Sequence, residues 1–240
     1  MDWLVAIDDT DAGESIGTGA FSRELAIRLS LLLPVRCTGI TRHQFLVHPD
    51  IPYTTHNSAS CLGIEGDVDR DALITRATEL IRFLEHPGAD PGLCVARPDE
   101  VRGAVADFGR RAQREVLTKA EAVALGREAG VHLAELGGDG MGVVGALSAT
   151  GLRASGEDGR FISLRGIRDL EGVQTVATIL DRTGIDAVLE DGAGPLDRDV
   201  VIDTRGWLRP DLRGARVVLT VHREDGRLVP ARKSRGHDSI

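Results

Sequence analysis

The chain has 240 residues, of which 42% are hydrophobic and 28% charged, and its formal net charge is −8. This composition is typical of a soluble globular protein with one large or two modest domains. The acidic balance argues against a dedicated nucleic-acid binder, which would carry a basic patch. No apolar run approaches the about 20 residues that span a bilayer, and no secretory leader precedes the first strand, so we predict a cytoplasmic protein without membrane contact.

Cysteine usage excludes two further classes. Cys37, Cys61 and Cys94 lie far apart and form no CxxC pair, so neither a zinc ribbon nor a disulfide framework is indicated. We predict reduced thiols in or near the core.

The C-terminal tail is the one basic stretch of the chain. Its cations are Arg223, Arg227, Arg232, Lys233 and Arg235. Without interleaved aromatic residues, a solubilising tail is favoured over a specific contact surface.

The first predicted strand ends in a group of acidic residues. The apolar run 4–7 is followed by Asp8, Asp9 and Asp11, with Thr10 between them. Open α/β sheets usually place ligands at the carboxyl ends of buried strands. Mg²⁺ is commonly held by one or two carboxylates together with phosphates and waters. The sequence therefore indicates a magnesium-phosphate site, and the alternative is a solvated acidic turn that caps the next helix.

The loop that follows contains Gly17, Thr18 and Gly19 and leads into a helix with one apolar face. Glycines let backbone amides approach a phosphate, and a helix N-terminus favours anions. The loop has neither the spacing nor the lysine of a Walker A motif, so a classical P-loop is excluded. By itself this glycine pattern is more typical of an ordinary helix start.

The remaining elements alternate between strands and helices. Strands are predicted over 35–40, 58–64, 93–96, 161–165, 200–203 and 216–222. Helices are predicted over 69–85, 98–116 and 172–182, and another opens with the capping box of Thr118 and Glu121 and ends before Gly130. The turn-rich segment 185–199 predicts a small, mostly β C-terminal portion.

A polar tract at 41–57 contains three histidines, His43, His48 and His56. Their spacing is not that of a zinc protease, so loop histidines that donate hydrogen bonds are favoured over a metal site. One of these histidines, or Arg42, could neutralise charge on a transferred phosphoryl group. Asn57 could bind a ligand or close an Asx turn.

The second glycine-rich segment, 137–147, leads into another helix start. Gly142 and Gly145 lie in it. A phosphate contact is slightly favoured over the alternative, a tight turn that lets a helix pack close to a sheet.

Four segments in order resemble the motifs of archaeal agmatinylcytidine synthase, which modifies the anticodon of an isoleucine tRNA. They are Ile7–Asp11, Pro49–Ala59, Asp90–Gly92 and Gly140–Ala149. Four ordered matches over roughly the first 165 residues are much more specific than any one of them.

The resemblance implies a mixed α/β (α+β) fold. The N-terminal kinase-like α/β region would span 1–66 and 131–170, the ferredoxin-like region 67–130, and a small C-terminal portion with the basic tail 171–240. In that family the acidic cluster helps to hold magnesium and ATP phosphates, and a threonine in the following loop becomes phosphorylated.

The chain departs from that family in three ways. Either Thr18 or Ser22 corresponds to the phosphorylated threonine, and Thr54 and Thr55 stand where the family has basic groups. In that family a tRNA-binding module and a cysteine-rich zinc ribbon follow this region, and we expect this chain to have neither. A substrate other than that tRNA is therefore expected.

The predicted function is that of a magnesium-dependent, ATP-binding phosphotransferase or ligase that acts on a small molecule. One alternative is a nucleotide-sensing regulatory protein without turnover, and another is a tRNA-modifying enzyme that acts with a partner. The oligomeric state is left open, with a homodimer among the options.

Three sets of site residues are predicted. The catalytic set is Asp8, Asp11, Thr18, His43 and His56. The set that binds the cofactor ATP is Asp9, Thr10, Gly17, Gly19, Asn57, Gly142 and Gly145. The Mg²⁺ ligands are Asp8, Asp9 and Asp11.

Overall fold

The computed structural model of the chain describes residues 1–10, 17–51, 57–84 and 86–231. Two predicted site residues, Asp11 and His56, lie outside this part. The chain forms two compact units, Met1–Ser163 and Leu164–Ile240. The three-part domain division stays a prediction, because compactness alone does not assign a region to a kinase-like or ferredoxin-like fold.

The first unit alternates strands and helices. In chain order its elements are β1 (Trp3–Asp8), α1 (Thr18–Leu32), β2 (Val35–Gln44), β3 (Ser58–Gly66), α2 (Arg70–Leu84), β4 (Gly92–Ala96), α3 (Ala104–Ala112), α4 (Lys119–Ala129), β5 (His132–Glu135), α5 (Gly142–Ser155) and β6 (Arg160–Ser163). The predicted mixed α/β class is confirmed.

The six strands form one sheet in the order β5-β4-β1-β3-β2-β6, and every neighbouring pair is antiparallel. Successive side chains point to opposite faces of a strand. Leu4 and Ala6 of β1 therefore pack with α3, α4 and α5, whereas Val5 and Ile7 pack with α1 and α2. The result is a sheet with a helical layer and an apolar core on each face.

Because the sheet is antiparallel, the reason given above for a ligand site at the end of β1 does not apply. The rule that ligands lie at the carboxyl ends of strands belongs to parallel sheets. Here the edge that contains Asp8 also holds the start of β3 and the start of β4. Segments that are far apart in the sequence therefore meet at this edge.

Several predicted element boundaries are wrong. Strand β2 runs past Ile40 to Gln44, because Thr41 and His43 point into the interior and are fully buried. Helix α3 is shorter than the predicted 98–116, since Gly103 before it has a positive φ of 69°. Strand β5 lies outside every predicted element. The capping box at the start of α4 is confirmed.

The second unit is mostly β, as predicted. Its elements are β7 (Val173–Thr175), α6 (Val176–Arg182), β8 (Ala187–Glu190), β9 (Gly194–Pro195), β10 (Val201–Asp203), β11 (Asp211–Arg213), β12 (Arg216–Glu224) and β13 (Arg227–Pro230). Strand β12 pairs with β8 in parallel and with β11 and β13 antiparallel, and β7 pairs with β10. Only the second part of the predicted helix over 172–182 is helical. The first part forms β7, whose last residue, Thr175, caps α6.

The cysteines are free thiols, as predicted, and Cys61 and Cys94 are buried. Burial raises the pKa of the Cys94 thiol to about 12. Within the described residues, no helix combines the length and apolarity needed to cross a membrane.

Candidate active site at the end of the first strand

The acidic motif lies at one edge of the first unit's sheet. Asp8 ends β1 and pairs with Gly92 of β4. Asp9 then turns the chain with a positive φ of 51°, a conformation that aspartate tolerates better than most residues. Its carbonyl oxygen accepts a hydrogen bond of 3.1 Å from the Asp90 amide. The two chain segments are therefore fixed to each other directly at the motif.

Asp90 positions the second glycine-rich segment. Its carboxylate accepts hydrogen bonds from the amides of Gly140 (2.9 Å) and Met141 (2.8 Å), just before α5. Burial and a hydrogen bond with the carboxyl of Asp139 raise the pKa of Asp90, and the two amides offset part of this rise. Asp90 therefore joins the Asp9 turn, through its backbone amide, to the second glycine-rich segment, through its carboxylate.

The glycines of α5 permit a close approach between this helix and the sheet. A Cβ atom on Gly145 would lie 1.7 Å from Asp8 Oδ2, and one on Gly142 would lie 2.3 Å from the Asp90 carbonyl oxygen. The tight packing considered as the alternative for these glycines is therefore present. It brings the N-terminal end of α5, where helices carry partial positive charge, beside the Asp8 carboxylate.

A pocket opens at this point. It is lined by the carboxylates Asp8, Asp9, Asp50 and Glu115, by the polar residues Thr18, Asn57, Ser58 and Ser148, by Gly142 and Gly145, and by the apolar residues Phe45, Ile51, Ala112, Val116, Leu117, Met141 and Val144. Within the described part of the chain no lysine or arginine lines it. The pocket combines an acidic end with an apolar wall.

Two helices begin at this pocket. Thr18 is the first residue of α1 and Gly142 the first of α5, and neither N-cap residue makes a side-chain capping bond. The first amides of a helix have no partner within the helix, so a helix start can bind an anion. In these two helices the amides of Ala20 and Val144 already donate to the carbonyl oxygens of Gly17 and Met141.

Six of the predicted site residues line the pocket together. They are Asp8, Asp9, Thr18, Asn57, Gly142 and Gly145. Thr18 rather than Ser22 faces the pocket, because Ser22 is fully buried and its hydroxyl donates to the Thr18 carbonyl oxygen. The side chain of Asn57 donates to the Leu46 carbonyl oxygen at 2.6 Å, a contact between residues eleven positions apart that is not an Asx turn.

Three other predicted residues lie next to the pocket without lining it. Gly17 is the N-cap of α1, and its carbonyl oxygen accepts from the amides of Ala20 and Phe21. Gly19 lies in the first turn of α1. Thr10 is 2% exposed, and its hydroxyl has no hydrogen-bond partner in the described part of the chain.

The location predicted for His43 is wrong. The residue lies in β2 rather than in a loop, and its side chain is fully buried. The ring nitrogens contact Thr41 Oγ1 at 2.8 Å and Asp158 Oδ1 at 2.7 Å. It does not line the pocket, so a direct contact with a transferred group is not supported.

Sequence reasoning missed Glu115 and Phe45. Glu115 follows the end of α3, where no motif marks it. Phe45 begins a short apolar run, 45–47, inside the polar tract, and nothing in that run marks it as a site residue. Asp50 lies in a motif segment, but the sequence predicts no site role for it.

Neither a protein-family model nor a curated protein sequence matches the chain. Solved structures do match. A tRNA fluorescent labeling enzyme aligns over 63% of this chain and 36% of its own, with 27% identity and a TM-score of 0.55. TiaS in complex with a tRNA and ATP aligns over the same shares, with 25% identity and a TM-score of 0.55. The chain resembles TiaS in fold.

Apo TiaS, described as a tRNA agmatidine synthetase, aligns over 63% of this chain and 35% of its own, with 24% identity and a TM-score of 0.54. The resemblance indicated by the four ordered motifs is thereby confirmed, at low sequence identity. The chain spans 36% or less of the length of these proteins.

Proposed function

We propose that the first unit binds Mg-ATP and uses it to drive the modification of an acceptor. One observation carries this proposal: two carboxylates, Asp8 and Asp9, meet the N-terminal ends of α1 and α5 at a single pocket. A polyphosphate needs cationic or N–H partners. The two helix ends supply the N–H groups, and the ATP of the TiaS complex is consistent with such a ligand.

The carboxylates fit a magnesium ion that arrives with the nucleotide. Among the described residues no group of three or more histidine, cysteine or acidic side chains is arranged to hold a metal alone. Mg²⁺ is usually bound through one or two carboxylates, with phosphate oxygens and waters as its other ligands. Asp8 and Asp9 supply that number, and bound Mg²⁺ would neutralise phosphate charge that no basic lining residue meets.

The chain's own residues then act by positioning. The helix ends hold the phosphates, and the Thr18 hydroxyl lies at the same pocket, where it would be close to them. Preorganised amides and dipoles stabilise the charge that develops during phosphoryl transfer. The additional carboxylate of Asp50 favours a cationic small acceptor over an anionic one, whereas the Glu115 carboxylate is paired with Arg111 at 3.0 Å.

Calorimetric titration with Mg-ATP tests the proposal. We expect wild-type protein to bind and Asp8→Asn to bind about tenfold more weakly or worse, because one charged ligand is lost. The matched control is Asp107→Asn, since Asp107 pairs with Arg110 on the exposed surface of α3. Absence of wild-type binding, or equal affinity for Asp8→Asn, would overturn it.

Phosphorus NMR separates turnover from sensing. An enzyme converts ATP to ADP or AMP when a suitable cationic acceptor is present. A nucleotide sensor leaves ATP intact over hours with every acceptor tried.

A second candidate function is tRNA modification, which the similarity to a tRNA fluorescent labeling enzyme and to TiaS with bound tRNA favours. For this chain we expect a gel shift with tRNA that weakens as salt is raised, because phosphate contacts release counterions. Replacing the tail cations Arg232, Lys233 and Arg235 by alanine should weaken the shift. A salt-independent or tail-independent shift would count against an electrostatic contact of the tail.

A further inference from the structure

A partly buried polar chain, which includes the fully buried side chain of His43, lies next to residues that line the pocket. His43 Nδ1 is 2.7 Å from Asp158 Oδ1, and the amide of Gln113 donates to Asp158 Oδ2 at 3.0 Å. The same Gln113 nitrogen donates to the Gln44 carbonyl oxygen at 3.3 Å. One carboxylate therefore joins strand β2 to the segment that follows α3.

Both ring nitrogens of His43 are engaged in this chain. Nε2 is 2.8 Å from Thr41 Oγ1, and the side chain has no exposed surface. Gly159, with a φ of +124°, allows the close approach, because a Cβ there would lie 2.7 Å from His43 Cε1. His43 thus has no nitrogen available for a proton of a bound substrate.

The joined segments form one wall of the pocket. This apolar wall consists of Phe45, Ala112, Val116 and Leu117, and the polar residue Asn57 lies beside it. The amide of Leu46 donates to the Ala112 carbonyl oxygen at 3.0 Å. The amide of Phe45 and the side chain of Gln44 both donate to the Asn57 carbonyl oxygen at 2.9 Å. These hydrogen bonds hold the backbone of the wall. They start at residues next to His43 on the β2 side and next to Gln113 on the α3 side.

We propose that His43 and Asp158 are positioning residues, which hold the apolar wall where it contacts the nucleoside part of the nucleotide. This inference rests on the proposed Mg-ATP site. The acidic end of the pocket, with Asp8, Asp9 and the two helix ends, takes the phosphates. The wall is the apolar surface left for a base and ribose, and a hydrogen-bonded network anchored on a buried side chain fixes such a surface in one geometry.

The test compares two ligands, Mg-ATP and Mg-tripolyphosphate, by calorimetry. In His43→Ala and Asp158→Ala we expect the affinity for Mg-ATP to fall about tenfold, while that for Mg-tripolyphosphate stays unchanged, because only the wall loses its support. His43→Asn, whose amide can still donate to Asp158, should recover most of the loss. His86→Ala, at an exposed turn, is the matched control.

A general structural role would weaken both ligands equally, and this result, or no change for either, would overturn the proposal. If the alanine variants do not fold, Gln113→Ala cuts the same chain from the α3 side, and the same difference between the ligands is expected. If wild-type protein binds neither ligand, the proposed function fails. Amide hydrogen exchange then decides the inference: faster exchange in Gln113→Ala confined to 44–46 and 112–117 supports it, and unchanged exchange refutes it.

Discussion

At the scale of single residues, Asp9 has two separable tasks. Its carboxylate lines the pocket, and its backbone adopts a positive φ of 51°. Most L-residues pay a free-energy cost in that region, whereas glycine adopts it readily and asparagine more easily than most. Different substitutions can therefore remove the carboxylate with or without raising the free-energy cost of the positive φ.

Three substitutions at Asp9 separate the two tasks. Asp9→Asn, Asp9→Gly and Asp9→Ala should all weaken Mg-ATP binding, because each removes a carboxylate. Only Asp9→Ala should also lower the free energy of unfolding, by about 1 kcal/mol relative to Asp9→Gly. Denaturant unfolding beside calorimetry measures both. Equal free energies of unfolding for the alanine and glycine variants would contradict this prediction. They would show that residue 9 leaves the positive-φ region at little cost.

At the scale of elements, α4 begins with a charged capping box. Hydrogen bonds lower the pKa of Glu121 from its usual 4.5 to about 2. The largest effect comes from the backbone amide of Thr118, followed by the Thr118 hydroxyl and the Arg111 guanidinium. A carboxyl whose pKa is lower in the folded state stabilises the fold above the unfolded pKa. That contribution is lost as pH falls towards the folded value.

We therefore expect the difference in unfolding free energy between wild type and Glu121→Gln to be largest above about pH 5. It should shrink as pH falls from 4.5 towards 2. Glu128→Gln, an exposed change later in α4, is the matched control. A difference that is constant over this pH range would contradict the assigned role of Glu121.

Two of the three glycines in helix α5, Gly145 and Gly151, serve different contacts. A Cβ on Gly145 would lie 1.7 Å from Asp8 Oδ2, whereas one on Gly151 would lie 2.2 Å from the Val105 carbonyl oxygen of α3. Alanine normally favours a helix over glycine by about 1 kcal/mol. At both positions overpacking, which costs about 1–3 kcal/mol, should outweigh that gain.

The two alanine variants should differ in ligand binding. Gly145→Ala displaces the Asp8 carboxylate, so we expect it to lose Mg-ATP affinity as well as stability. Gly151→Ala should lose stability alone, measured at a temperature where both variants are folded. Equal affinities in the two variants would mean that Asp8 tolerates displacement.

Sequence patterns predicted the parts that depend on local chemistry. The capping box at Thr118, the end of β1 at Asp8 and the helix start at Gly142 each have a local signal. The burial of His43 has none, because β2 alternates polar residues there, and hydrophobic periodicity cannot tell which face is buried. Glu115 reaches the pocket only through the packing of α3 on α5, which no spacing along the chain encodes.

At the scale of the whole molecule, the pocket is contained in one unit. All of its lining residues belong to Met1–Ser163, which has its own sheet and two cores. The second unit has a separate core. Nucleotide binding should therefore not require residues after 163.

We expect a chain of residues 1–163 to bind Mg-ATP with an affinity close to that of the full chain. Calorimetry measures the affinity, and circular dichroism checks that the shortened protein is folded. A folded fragment that no longer binds would show that the second unit contributes to the site.

The antiparallel sheet gives the first unit two unlike rims. One rim gathers Asp8, the starts of β3 and β4 and the start of α5. The opposite rim holds the connections at 33–34, 67–69, 97–103 and 130–131, and Arg70 joins two of these through Glu100 and the Gly130 carbonyl oxygen. Inserted residues are best tolerated at exposed loops away from a site. Proteins that contain this unit can therefore gain longer loops at the second rim while the residues of the pocket at the first rim stay in place.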